Sequence, residues 1–173
     1  MRRAAIVLAL CAFVSAVAPE AWAETATIER ASVSFDTLGL VYGLAVGSPR
    51  VSAAASLPLN NGLSLQASPT AAWAGEGELE IELPLLARFA FRVGPLLPYA
   101  GAGLELGYAR LPGMADIVAT GPILEIGERF YLFKSNLFLE PYAGGALMLS
   151  WQGEEGPTVL PGAFGGLRIG LGL

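Results

Sequence analysis

Nine charged side chains set the chemistry this chain could carry: Glu80, Glu82, Arg88, Arg92, Glu105, Glu125, Arg129, Glu140 and Arg168. Two carboxylates in contrasting environments can divide the work of general acid and general base. Carboxylates set against guanidiniums do something else: they form charge-assisted, often bidentate hydrogen bonds that fix structure. The spacing favours the second role, since these residues recur inside alternating patterns and not within one short catalytic motif. A narrow conduit or gate lined by the same pairs is the functional alternative. Histidine is absent, which removes the usual general base near neutral pH and the commonest metal ligand. The single cysteine, Cys11, lies in an N-terminal apolar segment, so the rest of the chain has no thiol. The expectation is a chain that is not an enzyme and has no catalytic residue, cofactor or metal.

The elements that must position these charges show a period of two. From Glu78 onward, Leu79, Ile81, Leu83, Leu85, Phe89, Phe91 and Val93 share one parity, while Glu78, Glu80, Glu82, Arg88 and Arg92 share the other. A strand sends successive side chains to opposite faces, so one face is apolar and the other charged. At helical spacing both kinds would scatter round the circumference. The same reading gives eight strands, roughly 38–47, 51–59, 62–73, 78–93, 97–110, 116–132, 137–151 and 158–173. Apolar parity continues through Leu104, Leu106 and Tyr108, then Val118, Leu124, Ile126, Phe130 and Leu132, then Leu147, Leu149 and Trp151, and finally Leu167, Ile169 and Leu171. The opposite parity carries the nine charges with Tyr99, Phe138, Tyr142 and Phe164, and carries Ser52, Ser56, Ser64, Gln66, Ser68 and Thr70 on the earlier strands. Segment 24–36 stays open between a bulged start of the first strand and a strand of its own, because apolar parity flips near Asp36-Thr37.

Bulk properties say which face meets what. Apolar residues make up 54% of 173 residues and charged ones 14%. Mean hydropathy is +0.56. Beyond the N-terminal segment no apolar run reaches the roughly 18 residues that a spanning helix needs. A closed barrel is the other structure that satisfies its backbone in lipid. The expected fold is therefore an all-β, eight-stranded, antiparallel, up-and-down transmembrane β-barrel, apolar outside and charged within. Eight strands leave an interior just wide enough for side chains. A buried unpaired charge costs several kcal/mol, so Glu and Arg should pair there. Trp73, Trp151, Tyr42 and Tyr108 are placed as interfacial anchors. Gly101-Ala102-Gly103 resembles a piece of a dinucleotide fingerprint, but no helix is predicted to follow it. Glu154-Glu155 reads as a solvated loop tip.

Residues 1–23 combine Arg2 and Arg3, an apolar core from Ala4 to Ala18, and Ala21-Trp22-Ala23, the features of a cleaved secretory signal peptide. The mature domain is then 24–173, exported to the outer membrane. Net charge is −5 with no basic patch, which argues against nucleic acid. The short turns at Asn60-Asn61, Val93 to Pro95 and Lys134 to Asn136 fall on the side expected to face the periplasm.

Leu63–Gln66, Leu83–Arg88, Pro98–Gly103 and Leu137–Met148 (LFLEPYAGGALM) together resemble the small bacterial outer-membrane β-barrel family, often called porin-like. The resemblance implies an outer-membrane barrel without cofactor or shared catalytic residues. Its partners would be outer-membrane lipids and, during biogenesis, the barrel-assembly machinery and periplasmic chaperones; it would act as a monomer. Lipid A deacylase and acyltransferase barrels of similar size depend on histidine, which this chain lacks. The expected role is structural or one of surface interaction, with a narrow channel for small or apolar solutes as the alternative.

Overall fold

A computed structural model describes residues 31–60, 62–75, 77–91, 96–132, 135–153 and 156–173. The expected signal peptide, Arg92 and Glu154-Glu155 lie outside the described residues. Among the described residues nine strands form one sheet: β1 (Ser32–Asp36), β2 (Arg50–Asn60), β3 (Leu63–Ala67), β4 (Thr70–Ala74), β5 (Glu78–Ala90), β6 (Leu97–Arg110), β7 (Ile117–Tyr131), β8 (Leu137–Gln152) and β9 (Thr158–Gly172). One helix, α1 (Thr37–Ala45), follows β1. Sequential strands pair antiparallel from β5 to β9, and β1 closes the sheet into a ring by pairing with both β9 and β2.

β3 and β4 occupy one position in the ring. Both pair with β2 on one side and β5 on the other. The predicted strand 62–73 is split at Ser68-Pro69, because Pro69 lacks the N–H that a continuous ladder requires. The sheet stays joined across the break through Ala53 N to Pro69 O (3.1 Å) and Ser68 N to Pro84 O (3.0 Å).

The predicted strand 38–47 is corrected: the chain there is helical, and the strand of that position is the shorter β1. Asp36 ends β1 and caps the helix, its Oδ1 accepting from Gly39 N at 3.0 Å. That carboxylate satisfies one of the orphan amides of the first turn. Gly43 lets the other end fold back, since a Cβ there would lie 2.5 Å from Ser48 O and 2.8 Å from Arg50 N. The apolar residues that mimicked strand alternation, Leu38, Leu40, Tyr42, Leu44 and Val46, are exposed around the helix. The parity flip near Asp36-Thr37 thus comes from a strand-to-helix transition and not from a bulge.

Stopping β1 at Asp36 leaves a seam. β9 pairs with β1 only from Arg168 to Gly172, and β2 pairs with β1 only from Ala53 to Ser56. Among the described residues, no strand covers the open side of β9 before Arg168. α1 packs against β2 and β9 across that gap, and Thr37 Oγ1 donates to Leu167 O at 3.0 Å.

Burial is inverted relative to a water-soluble sheet protein. The largest fully buried side chains are Arg88, Phe138, Leu86, Glu140 and Ser64, with Arg88 and Glu140 at 0% exposure. Outside, Leu57 is 63%, Phe89 53% and Leu124 64% exposed. Charged residues are almost never fully buried in soluble domains unless paired. Val118, Ile126, Leu149, Trp151, Ile169 and Leu171 are also exposed, as their parity predicts, whereas Phe130 is buried despite its outward parity.

Candidate functional site

The ring interior has two unlike halves. One lies toward the end where β1, β3, β6 and β8 begin and β2, β5, β7 and β9 finish. There Arg88 from β5, Glu125 and Arg129 from β7, Glu140 from β8 and Arg168 from β9 converge into one lattice. Glu140 is its hub. Its Oε2 accepts from Arg88 Nη2 (3.1 Å), Arg129 Nε (2.8 Å) and Arg129 Nη2 (2.7 Å), and its Oε1 accepts from Arg168 Nη1 at 3.0 Å. Arg168 is bidentate to Glu125, at 2.9 and 2.7 Å. This is the planar fork matched to a carboxylate that arginine forms and lysine cannot.

Aromatic rings complete the lattice. Tyr99 OH donates to Glu125 Oε1 (3.0 Å) and Glu140 Oε1 (3.3 Å). The guanidinium carbons of Arg88, Arg168 and Arg129 sit 3.5, 3.6 and 4.0 Å from the ring centroids of Tyr99, Tyr142 and Phe138. Stacking of this kind holds a guanidinium over an apolar surface while its N–H groups stay in plane for carboxylates. Arg88 also donates to Gln66 of β3. Tyr142 OH donates to Asp36 Oδ2 at 2.6 Å, which links the lattice to the cap of α1.

Glycines make room for these groups. A Cβ on Gly127 would strike the Tyr99 ring, and one on Gly166 would lie 2.6 Å from Asp36 Oδ2 and 2.8 Å from Tyr142 OH. A glycine in a strand interior costs stability but lets a large neighbour lie flat against the backbone.

The other half is hollow. A cavity of about 480 Å³ extends from the lattice toward the opposite end, reaching under α1. Glu80 and Glu82 line it and share Arg50: Glu82 Oε2 accepts from Arg50 Nη2, and Glu80 Oε2 lies 4.0 Å from Arg50 Nη1. Glu105 faces the same cavity from β6 and is only 8% exposed. The wall formed by β2 to β4 is small and polar; Thr70 Oγ1 donates to Ser52 Oγ and Gln66 Nε2 to Ser68 Oγ, both at 2.9 Å.

Eight of the nine charges singled out by alternation are described, and all eight point into the ring. Five of them meet in the lattice; Glu80, Glu82 and Glu105 do not join it. Alternation missed Arg50 and Asp36. Arg50 shares parity with Ser52 and Ser56, and Asp36 with Ser32 and Ser34, so extending each strand to its end would have placed both inside.

Comparison with known protein families, curated proteins and solved structures finds no match.

Proposed function

We propose that the chain is a membrane-spanning β-barrel of the bacterial outer membrane, similar in kind to the small porin-like barrels and without catalytic activity. The observation that supports this is the inversion of burial: Phe89 and Leu124 face outward in a belt while Arg88 and Glu140 lie at 0% exposure inside. In water such a surface would be a large aggregation liability. In lipid it is the expected outer face of a barrel whose backbone is satisfied by ring closure. α1 fits the same reading, because a helix with exposed apolar residues around it needs an apolar neighbour.

The lattice acts as a plug at the end where the chain termini of the ring meet. Both oxygens of Glu140 are engaged by arginines, so that carboxylate is committed to structure and is not free for acid–base work. This favours an envelope or surface-interaction role over a through-channel. The wide end, bearing α1 and the connections 46–49 and 111–116, is then the end that meets the exterior.

The test is fluorescence quenching in vesicles. Trp73 and Trp151 are exposed on the outer face. With the chain from Glu24 onward folded into vesicles, brominated acyl chains should quench both tryptophans strongly, and planar bilayers should show no discrete openings. A chain that stays in aqueous solution without detergent and is not quenched would instead be a soluble barrel. Stable unitary conductance would establish the conduit alternative.

A further inference from the structure

We propose that the hollow half of the ring is a binding site for an organic cation with an apolar body. Five carboxylates and two guanidiniums line the cavity. Asp36 is taken up by Gly39 and Tyr142, and Glu125 and Arg168 by each other, which leaves Glu80, Glu82 and Glu105 with Arg50 set among them. Arg50 is engaged by Glu82 and lies near Glu80. Glu105 makes no direct hydrogen bond or ion pair among the described residues and feels Arg50 only as a nearby charge, although the residue is 8% exposed and faces the cavity. A buried carboxylate normally has a partner, so this one marks a place that a ligand's donor would fill.

The rest of the cavity says what kind of cation. Among the described residues no three acidic side chains converge closely enough to hold a metal ion. The negative charge is spread along β5 and β6, which suits an ammonium or amidinium carried on a larger molecule. Across from it, Ile123, Ala146, Met148 and Phe164 form an apolar wall. At about 480 Å³ the space falls within the range of small-molecule sites, about 300–1,000 Å³. An acidic wall facing an apolar one orients a ligand: head to Glu105, body to Met148 and Phe164.

The site lies inside the ring and does not require the membrane reading, so the two can fail separately. Phenethylammonium chloride is titrated calorimetrically into the folded chain in lipid nanodiscs, with 3-phenylpropionate as the isosteric anion and empty nanodiscs as the partition blank. Saturable one-to-one binding of the cation only is expected. Glu105→Gln should weaken it at least tenfold, and Arg50→Gln, which removes the built-in competitor, should tighten it several-fold. Should Glu105→Gln fail to fold by circular dichroism, Met148→Lys places an ammonium in the cavity and should abolish binding. Equal binding of cation and anion, or full binding by folded Glu105→Gln or Met148→Lys, overturns the site. If the chain proves soluble without detergent, the same titration in buffer tests the cavity in the same way.

Discussion

The two halves of the ring interior are built from the same residue types and differ in what stands opposite. At the narrow end Arg88, Arg129 and Arg168 come from three strands and meet Glu125 and Glu140, and Tyr99, Phe138 and Tyr142 fill the space between. At the wide end Glu80, Glu82 and Glu105 face Ala146, Gly162 and Phe164 across the ring. Arg168 of β9 reaches the inner margin of the cavity but is taken up by Glu125 and Glu140. Among the described residues, Arg50 is therefore the guanidinium paired with the carboxylates of the wide end. Alternation decides which face a side chain takes. Whether the interior is filled or hollow depends on the pairing of charge across the ring, which is a property of strands far apart in sequence.

The largest expected effect follows from the hub. Glu140→Gln keeps the shape but removes the charge that three arginines share, leaving guanidiniums buried beside a neutral amide. Breaking a buried pair by neutralising one partner typically costs about 3–5 kcal/mol. Reversible urea unfolding in vesicles, followed by tryptophan emission, should show a loss of that size with an unchanged m-value. A loss below about 1 kcal/mol would mean the lattice is not what holds the narrow end.

Much of this was legible in the sequence because the contrast between faces is strong. In β5 every second residue from Leu79 is apolar and the residues between include three charges, Glu80, Glu82 and Arg88, that the ring takes inside, so the strand and its inner face follow directly. Leu38 to Val46 misled because this helix carries apolar residues around most of its circumference and no charged face, so its leucines can fall on one parity by chance. The discriminating signals were Asp36, an N-cap residue, and the Gly39/Gly43 pair one turn apart. Partners within the lattice were not legible at all. Register sets Glu140 opposite Arg168, but the approach of Arg88 and Arg129 to the same carboxylate depends on ring closure and curvature, which no single strand encodes. The split between plug and cavity was hidden for the same reason.

Asp36 joins the two halves, since it caps α1 and accepts from Tyr142 at the margin of the lattice. Asp36→Ala should cost about 1–2 kcal/mol, the range for an N-cap loss. Asp36→Asn, which still caps, should recover part of it. Loosening α1 also uncovers the seam, so β9 amides before Arg168 that point away from β8 should exchange faster in deuterium. Amides of β6 and β7, paired on both sides, should not change. If all strands sped up together, α1 would be part of one global unit and the division into halves would dissolve.

The smallest effect tests the comparison most directly. Glu80 carries the same charge as Glu140 and points into the same ring, yet its side chain is 50% exposed and its nearest described cation, Arg50, stands 4.0 Å away. Such a pair is solvated and screened, and exposed pairs are worth about 0–1 kcal/mol. Glu80→Gln should therefore shift the urea midpoint by the equivalent of about 0.5 kcal/mol or less, and raised salt should shrink even that. Glu140→Gln should be almost insensitive to salt, because no ions reach its pairs. Two identical substitutions on one inner surface would then differ several-fold in cost and also in salt response. Equal costs would show that water reaches both ends alike.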